Sequence, residues 1–150
     1  MKLDSVDAIL DYAIDKEQDA HDFYMGLAEK MKKQNMAEIF KGFAQEELGH
    51  KRKLEGIRSG KLMASSEKKI MDLKIGDHLS DVELTTDIDY QEALILAMKA
   101  EKAAYKLYND LADATDDADL KATLLSLAQE EAKHKLRFEV EYDDYALREN

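Results

Sequence analysis

The sequence predicts an all-α domain: an antiparallel four-helix bundle made of two helical hairpins, with a long crossover between helices two and three. Three observations carry this expectation. The 150 residues contain no proline and only six glycines, so little in the chain interrupts a helix. Apolar residues recur at three- and four-residue spacing in four separate blocks, the period of a helix with one buried face. Residues 9–54 also return as residues 93–138 at a constant offset of 84 without a gap, with 13 identities in 46 aligned pairs. Two copies are too few for a solenoid, so they are expected to pack on each other as halves of one core. A chain of this length fits one domain, spanning 1–150.

The first helix, near residues 4–32, carries the stripe Val6, Leu10, Ala13, Glu17, Ala20, Tyr24, Leu27 and Met31. The second, near 36–59, carries Met36, Phe40, Phe43, Glu47, His50, Leu54 and Ile57. Asn35 stands three residues before Glu38, a capping-box spacing that places the start of this helix. Together the two form a hairpin over 4–59. Residues 60–88 break the pattern with Gly60, Ser65-Ser66, a short amphipathic piece from Ile70 to Ile75, and Gly76-Asp77. A connection this long in a compact domain has a geometric purpose: equivalent hairpins around a pseudo-twofold axis require a crossover along the bundle's length. The third helix, near 90–114, has Asp89 and Glu92 as its capping pair and the stripe Leu94, Ala97, Glu101, Ala104, Tyr108 and Leu111. The fourth, near 117–146 and opened by Asp116 or Asp117, carries Leu120, Leu124, Leu127, Glu131, His134, Phe138, Tyr142 and Tyr145. The second hairpin therefore covers 90–146.

Composition narrows the function. A net charge of -11 disfavours nucleic acid and anionic membranes as partners and favours cations. The absence of cysteine excludes disulfides, thiolate zinc sites, cysteine-held iron-sulfur clusters and a catalytic thiol. Met1-Lys2-Leu3-Asp4-Ser5 lacks the apolar core of a signal peptide, and no stretch approaches the roughly 18 apolar residues of a membrane span. A cytoplasmic, soluble protein is the expectation.

Most of the 33 acidic residues belong on a solvated surface. Those on an apolar stripe need another explanation. Glu17, Glu47 and His50 fall on Glu101, Glu131 and His134 in the second copy, and all six lie on the stripes. Glutamate and histidine three positions apart share a helix face, so Glu47 with His50, and Glu131 with His134, can present oxygen and nitrogen to one point. Four carboxylates and two imidazoles converging in a helical core are the ligand inventory of a two-metal carboxylate site. Unaided, the four carboxylates would repel one another and pay for burial, whereas two divalent cations would balance their charge.

Around this set, Tyr24 and Tyr108 stand two turns after Glu17 and Glu101, placed to orient a ligand carboxylate on the facing helix. Glu46 and Glu130 also repeat but lie off the stripe, which suits solvent-facing or orienting roles rather than ligation. His21 is one turn from Glu17, and His78 in the crossover reads as a surface residue. Ala20 and Ala104 leave room beside the metals for a small ligand such as dioxygen, peroxide or water.

With these residues in place, the chain resembles the ferritin-like superfamily and, within it, the di-iron domain of rubrerythrin-related proteins. The resemblance rests on Glu17-x6-Tyr24, Glu47-x2-His50, Glu101-x6-Tyr108 and Glu131-x2-His134 and covers nearly the whole chain. It implies two iron ions, with Glu17 and Glu101 as terminal ligands, Glu47 and Glu131 bridging, and His50 and His134 each completing one iron. It also implies homodimers, a cytoplasmic setting and reduction of hydrogen peroxide or O2. Two departures stand out. The cysteine-bearing rubredoxin-like domain is missing, so an electron donor would be a separate protein. Ala104 stands where rubrerythrins carry an additional glutamate that takes part in a redox-linked ligand exchange.

Three functions fit this inventory: a di-iron oxidoreductase acting on peroxide or dioxygen, an iron-handling protein of ferroxidase type, and a structural bundle locked by metal. Glutamate and histidine accept zinc and manganese as well as iron, so the ligands alone do not choose among them.

Overall fold

A computed structural model of the chain describes residues 5–60 and 87–149. It contains four long helices: α1 (Val6–Lys30), α2 (Gln34–Gly60), α3 (Tyr90–Asp113) and α4 (Ala118–Glu149). They match the expected four to within three residues at each end. Of the expected crossover 60–88, Gly60 falls at the end of α2 and residues 87–88 precede α3, while the rest, with its amphipathic piece and His78, lies outside the described residues. Among the described residues, no helix is long and apolar enough to cross a membrane.

Local chemistry sets the ends. Ser5, in extended backbone, caps α1 by accepting from the Ala8 N–H at 3.0 Å, supplying one of the partners that the first turn of a helix lacks. The helix stops where Met31 turns extended, and the three residues Met31–Lys33 lead into α2. Here the capping expectation is corrected. Asn35 lies inside the first turn of α2, and it is the Lys33 carbonyl that accepts from Met36 and Ala37. The turn is too short to leave Asn35 outside the helix. On α3 the capping box forms as expected: Asp89 accepts from the Glu92 N–H at 2.8 Å, and Glu92 accepts from the Asp89 N–H at 3.3 Å. Of the two candidates for α4, Asp117 is the cap, accepting from the Leu120 N–H at 2.9 Å.

These short turns fold α1 against α2 and α3 against α4 as antiparallel hairpins, where most of the inter-helix packing lies. No residue of the four predicted stripes is exposed. The core has two clusters. One gathers Leu10, Leu54, Leu111, Leu120, Leu124 and Leu127 at one end of the bundle. The other gathers Tyr24, Phe40, Phe43, Tyr90 and Phe138 at the opposite end. Under the 84-residue offset, Phe40, Phe43 and Phe138 exchange with Leu124, Leu127 and Leu54. One end thus has leucines where its mirror has phenylalanines, with Phe43 and Phe138 stacked 4.0 Å apart between centroids. A polar layer separates the two.

Candidate metal centre

That layer consists of Glu17, Glu47, Glu101, Glu131 and His134, each no more than 2% exposed, with His50 beside them. Each helix contributes because its stripe continues through the layer with polar residues in register: Glu17 from α1, Glu47 and His50 from α2, Glu101 from α3, Glu131 and His134 from α4. All six predicted ligands meet.

They meet as two overlapping groups. Glu17, Glu47, His50 and Glu131 form one, Glu47, Glu101, Glu131 and His134 the other, and within each group one ligand atom per residue lies within 4.8 Å of the rest. Glu47 and Glu131 belong to both. His50 directs Nδ1 to Glu47 at 3.1 Å, Glu17 at 3.4 Å and Glu131 at 3.8 Å. His134 directs Nδ1 to Glu101 and Glu131 at 3.2 Å each and to Glu47 at 3.8 Å. The two imidazoles lie nearly parallel, 5.8 Å apart.

Beyond these imidazole–carboxylate approaches, five buried polar atoms of this cluster make no well-aligned hydrogen bond: one oxygen each of Glu17, Glu47, Glu101 and Glu131, and Nδ1 of His50. Such groups are costly in a core, and when they converge they ask for a guest that accepts lone pairs. Oxygen and imidazole nitrogen atoms arranged in this way fit a pair of divalent cations.

Electrostatics point the same way. Burial pushes the Glu47 and Glu131 carboxyls well above the ordinary range, and the neighbouring charges add to this: Glu17 and Glu101 on Glu47, Glu47 and Glu101 on Glu131. Burial opposes protonation of His134, but hydrogen bonds to Glu101 and Glu131, with their negative charge, outweigh it and raise the ring to about 10. His50 moves in the same direction, with Glu17 outweighing burial. Without metal, protons hold the cluster together. Metal must displace them.

The tyrosines orient the outer carboxylates across the bundle. Tyr24 donates its hydroxyl to Glu101 Oε2 at 2.5 Å, and Tyr108 donates to Glu17 Oε2 in the mirrored contact. Both phenols are pushed well up, first by burial and then by the adjacent glutamate charge, so they remain protonated donors. Each fixes one oxygen of its glutamate and leaves the other without a hydrogen-bond partner.

The flanks are less symmetric than the repeat suggests. Glu46 accepts from His134 Nε2 at 3.0 Å and from Arg137 at 2.9 Å, whereas its mirror Glu130 pairs with Lys133 of its own helix at 3.0 Å. Partial burial works against ionisation of Glu46, but the bonds from Arg137 and His134 prevail and hold it below the usual carboxylate range. Phe43 meets His134 edge-on at 5.0 Å, with the Arg137 guanidinium 4.3 Å from the Phe43 centroid. Sequence reasoning left Arg137 out. Its position three residues after His134 was the available signal. His21 falls outside both groups, with Nδ1 3.0 Å from Asp22. Ala20 and Ala104 are half-buried.

Known proteins share this fold. The family model described as Rubrerythrin matches residues 8–142. A hypothetical protein from Pyrococcus furiosus has the same fold, with a TM-score of 0.65 and 24% identity over 91% of this chain and 87% of its own. A ferritin-like diiron-carboxylate protein from Thermotoga maritima has a TM-score of 0.67 and 20% identity over 97% of each chain. At these identities the likeness speaks to the fold, which is ferritin-like. No curated protein matches the sequence.

Proposed function

The chain belongs to the rubrerythrin family, and from that premise we propose that it is a di-iron carboxylate oxidoreductase reducing hydrogen peroxide or dioxygen with electrons from a separate donor. The observation that carries this reading is the pair of four-residue groups sharing Glu47 and Glu131, with an unpartnered oxygen on every glutamate. In this reading Glu47 and Glu131 would be shared by the two ions, Glu17 with His50 would help hold one, and Glu101 with His134 would help hold the other. Two iron ions so held supply two electrons to a small oxidant.

The protein's own part is to position and to insulate. Tyr24 and Tyr108 hold Glu101 and Glu17 at fixed orientation, so the terminal carboxylates need no rearrangement to receive a cation. Without metal, burial and mutual charge disfavour the ionised forms of Glu47 and Glu131, so these carboxyls would give up protons when a cation enters. The leucine cluster on one side and the aromatic cluster on the other keep bulk water from the layer.

Anaerobic loading with Fe(II), followed by addition of peroxide or O2 under an optical readout, tests this. The expected result is binding of two Fe(II) per chain and rapid oxidation by peroxide, with repeated turnover once a reductant is added. Oxidation by O2 with many irons per chain and no preference for peroxide would favour the iron-handling function. Oxidation no faster than in buffer would sink both redox readings and leave the structural one.

A further inference from the structure

The repeat makes the six inner residues equivalent in pairs, so any difference between the two metal positions must come from what surrounds them. The difference is concentrated on the imidazoles. His134 is 2% exposed and His50 13%. On the far side of His134, Nε2 lies 3.0 Å from Glu46 Oε1, and the other oxygen of that carboxylate takes a bond from Arg137 at 2.9 Å. An ionised carboxylate only accepts, so Nε2 must be the donor. Once a cation displaces the proton from Nδ1, that nitrogen is left with its lone pair aimed at Glu101 and Glu131. Phe43 edge-on and the Arg137 guanidinium over its ring close the same flank.

At the mirrored position each of these parts is changed. Glu130 is tied to Lys133 and reaches His50 only through its charge. Phe43 is replaced by Leu127, and Arg137 by the exposed Lys53. The His50 ring is therefore neither fixed in one tautomer nor covered to the same degree. Carboxylates that orient a ligand histidine are worth roughly 10- to 100-fold in metal affinity.

We infer that Glu46 and Arg137 are positioning residues that make the two metal positions unequal: the position at Glu101 and His134 fills first and empties last, while the position at Glu17 and His50 exchanges with solvent. This rests on the di-metal reading above. It adds an order of filling and a side of entry, past His50.

The test uses the full chain loaded with Co(II), whose visible bands report coordination, and release into excess chelator followed by stopped flow. The expected result is two phases of equal amplitude. Glu46→Gln should accelerate the slow phase by roughly 10- to 100-fold and shift the spectrum of the first Co(II) equivalent, while Glu130→Gln leaves both phases and the spectrum as they were. Arg137→Ala, which leaves Glu46 on His134 but without its guanidinium partner, should move the slow phase the same way by a smaller factor. Glu46 is 43% exposed, so the metal-free variant should melt with the parent, and a changed slow phase is then a positioning effect. A single release phase in the parent would overturn the inference while leaving the di-metal reading intact. So would equal responses to Glu46→Gln and Glu130→Gln. Fewer than two Co(II) per chain would overturn the di-metal reading, and this inference with it.

Discussion

Replacing Glu131 by leucine should make the metal-free protein more stable and deprive it of its metals. Glu131 is 1% exposed, one of its oxygens has no hydrogen-bond partner, and burial together with Glu47 and Glu101 pushes its carboxyl well above the ordinary range. A buried acceptor left without a well-aligned donor costs about 1–3 kcal/mol, and leucine at this position removes that acceptor. His134 is not stranded by the change, because Glu101 at 3.2 Å and Glu46 at 3.0 Å remain. The metal-free variant should therefore exceed the parent by roughly 1–3 kcal/mol, each kcal/mol raising Tm by about 2–4 °C for a chain of this size. Metal reverses the order. At free metal about 100 times Kd the parent gains roughly 2.7 kcal/mol per site, whereas Glu131→Leu lacks a residue common to both positions. Urea denaturation in chelator and in excess metal measures all four stabilities. A metal-free variant less stable than the metal-free parent, or equal stabilisation of both by metal, would refute the reasoning.

Tyr108→Phe removes the hydroxyl bonded to Glu17 and should weaken metal binding roughly 10- to 100-fold, read by competition with a chromophoric chelator. The pH dependence has a definite sign. Glu47 and Glu131 titrate above their unfolded range, so keeping them buried costs more stability as pH rises and they ionise, and His134, raised to about 10, lends stability that is complete below about 6.5 and is lost as pH rises through its folded value. The Tm of metal-free protein should fall from about pH 6.5 to about pH 10, while metal affinity rises over the same interval; a metal-free Tm that climbs there would contradict the proton-held cluster. Phe138→Ala, at a fully buried ring stacked on Phe43, should cost about 3–5 kcal/mol in denaturant unfolding.

Much of this was legible because helices translate spacing into direction. The stripes through Glu17, Glu47, Glu101 and Glu131 named the buried faces, and the constant offset fixed which residues meet at one level of the bundle. Tyr24 and Tyr108 were readable for the same reason. What spacing does not encode is a relation between helices off the stripe. Glu46 and Arg137 lie 91 residues apart on different elements, and their contact depends on how closely α2 and α4 approach. The start of α2 failed differently. Asn35 has a good capping side chain, but a three-residue turn decides where the chain can begin to coil, and it leaves the task to the Lys33 carbonyl. Ser5 has the same chemistry in extended backbone just ahead of α1, and there it caps.

The unlike ends of the core also bear on which hairpins can pair. In the native arrangement Phe40 and Phe43 of α2 meet Phe138 of α4, and the leucines at 54, 124 and 127 gather at the other end. Two copies of the first hairpin, joined to each other, would set Phe40 and Phe43 against Leu54 at both ends. Two copies of the second would set Leu124 and Leu127 against Phe138. Neither assembly restores the three-ring stack or the grouping of Leu54 with Leu124 and Leu127. The halves, though repeats, are no longer interchangeable in their packing, so a hairpin traded between two chains would find its native contacts only against the other half.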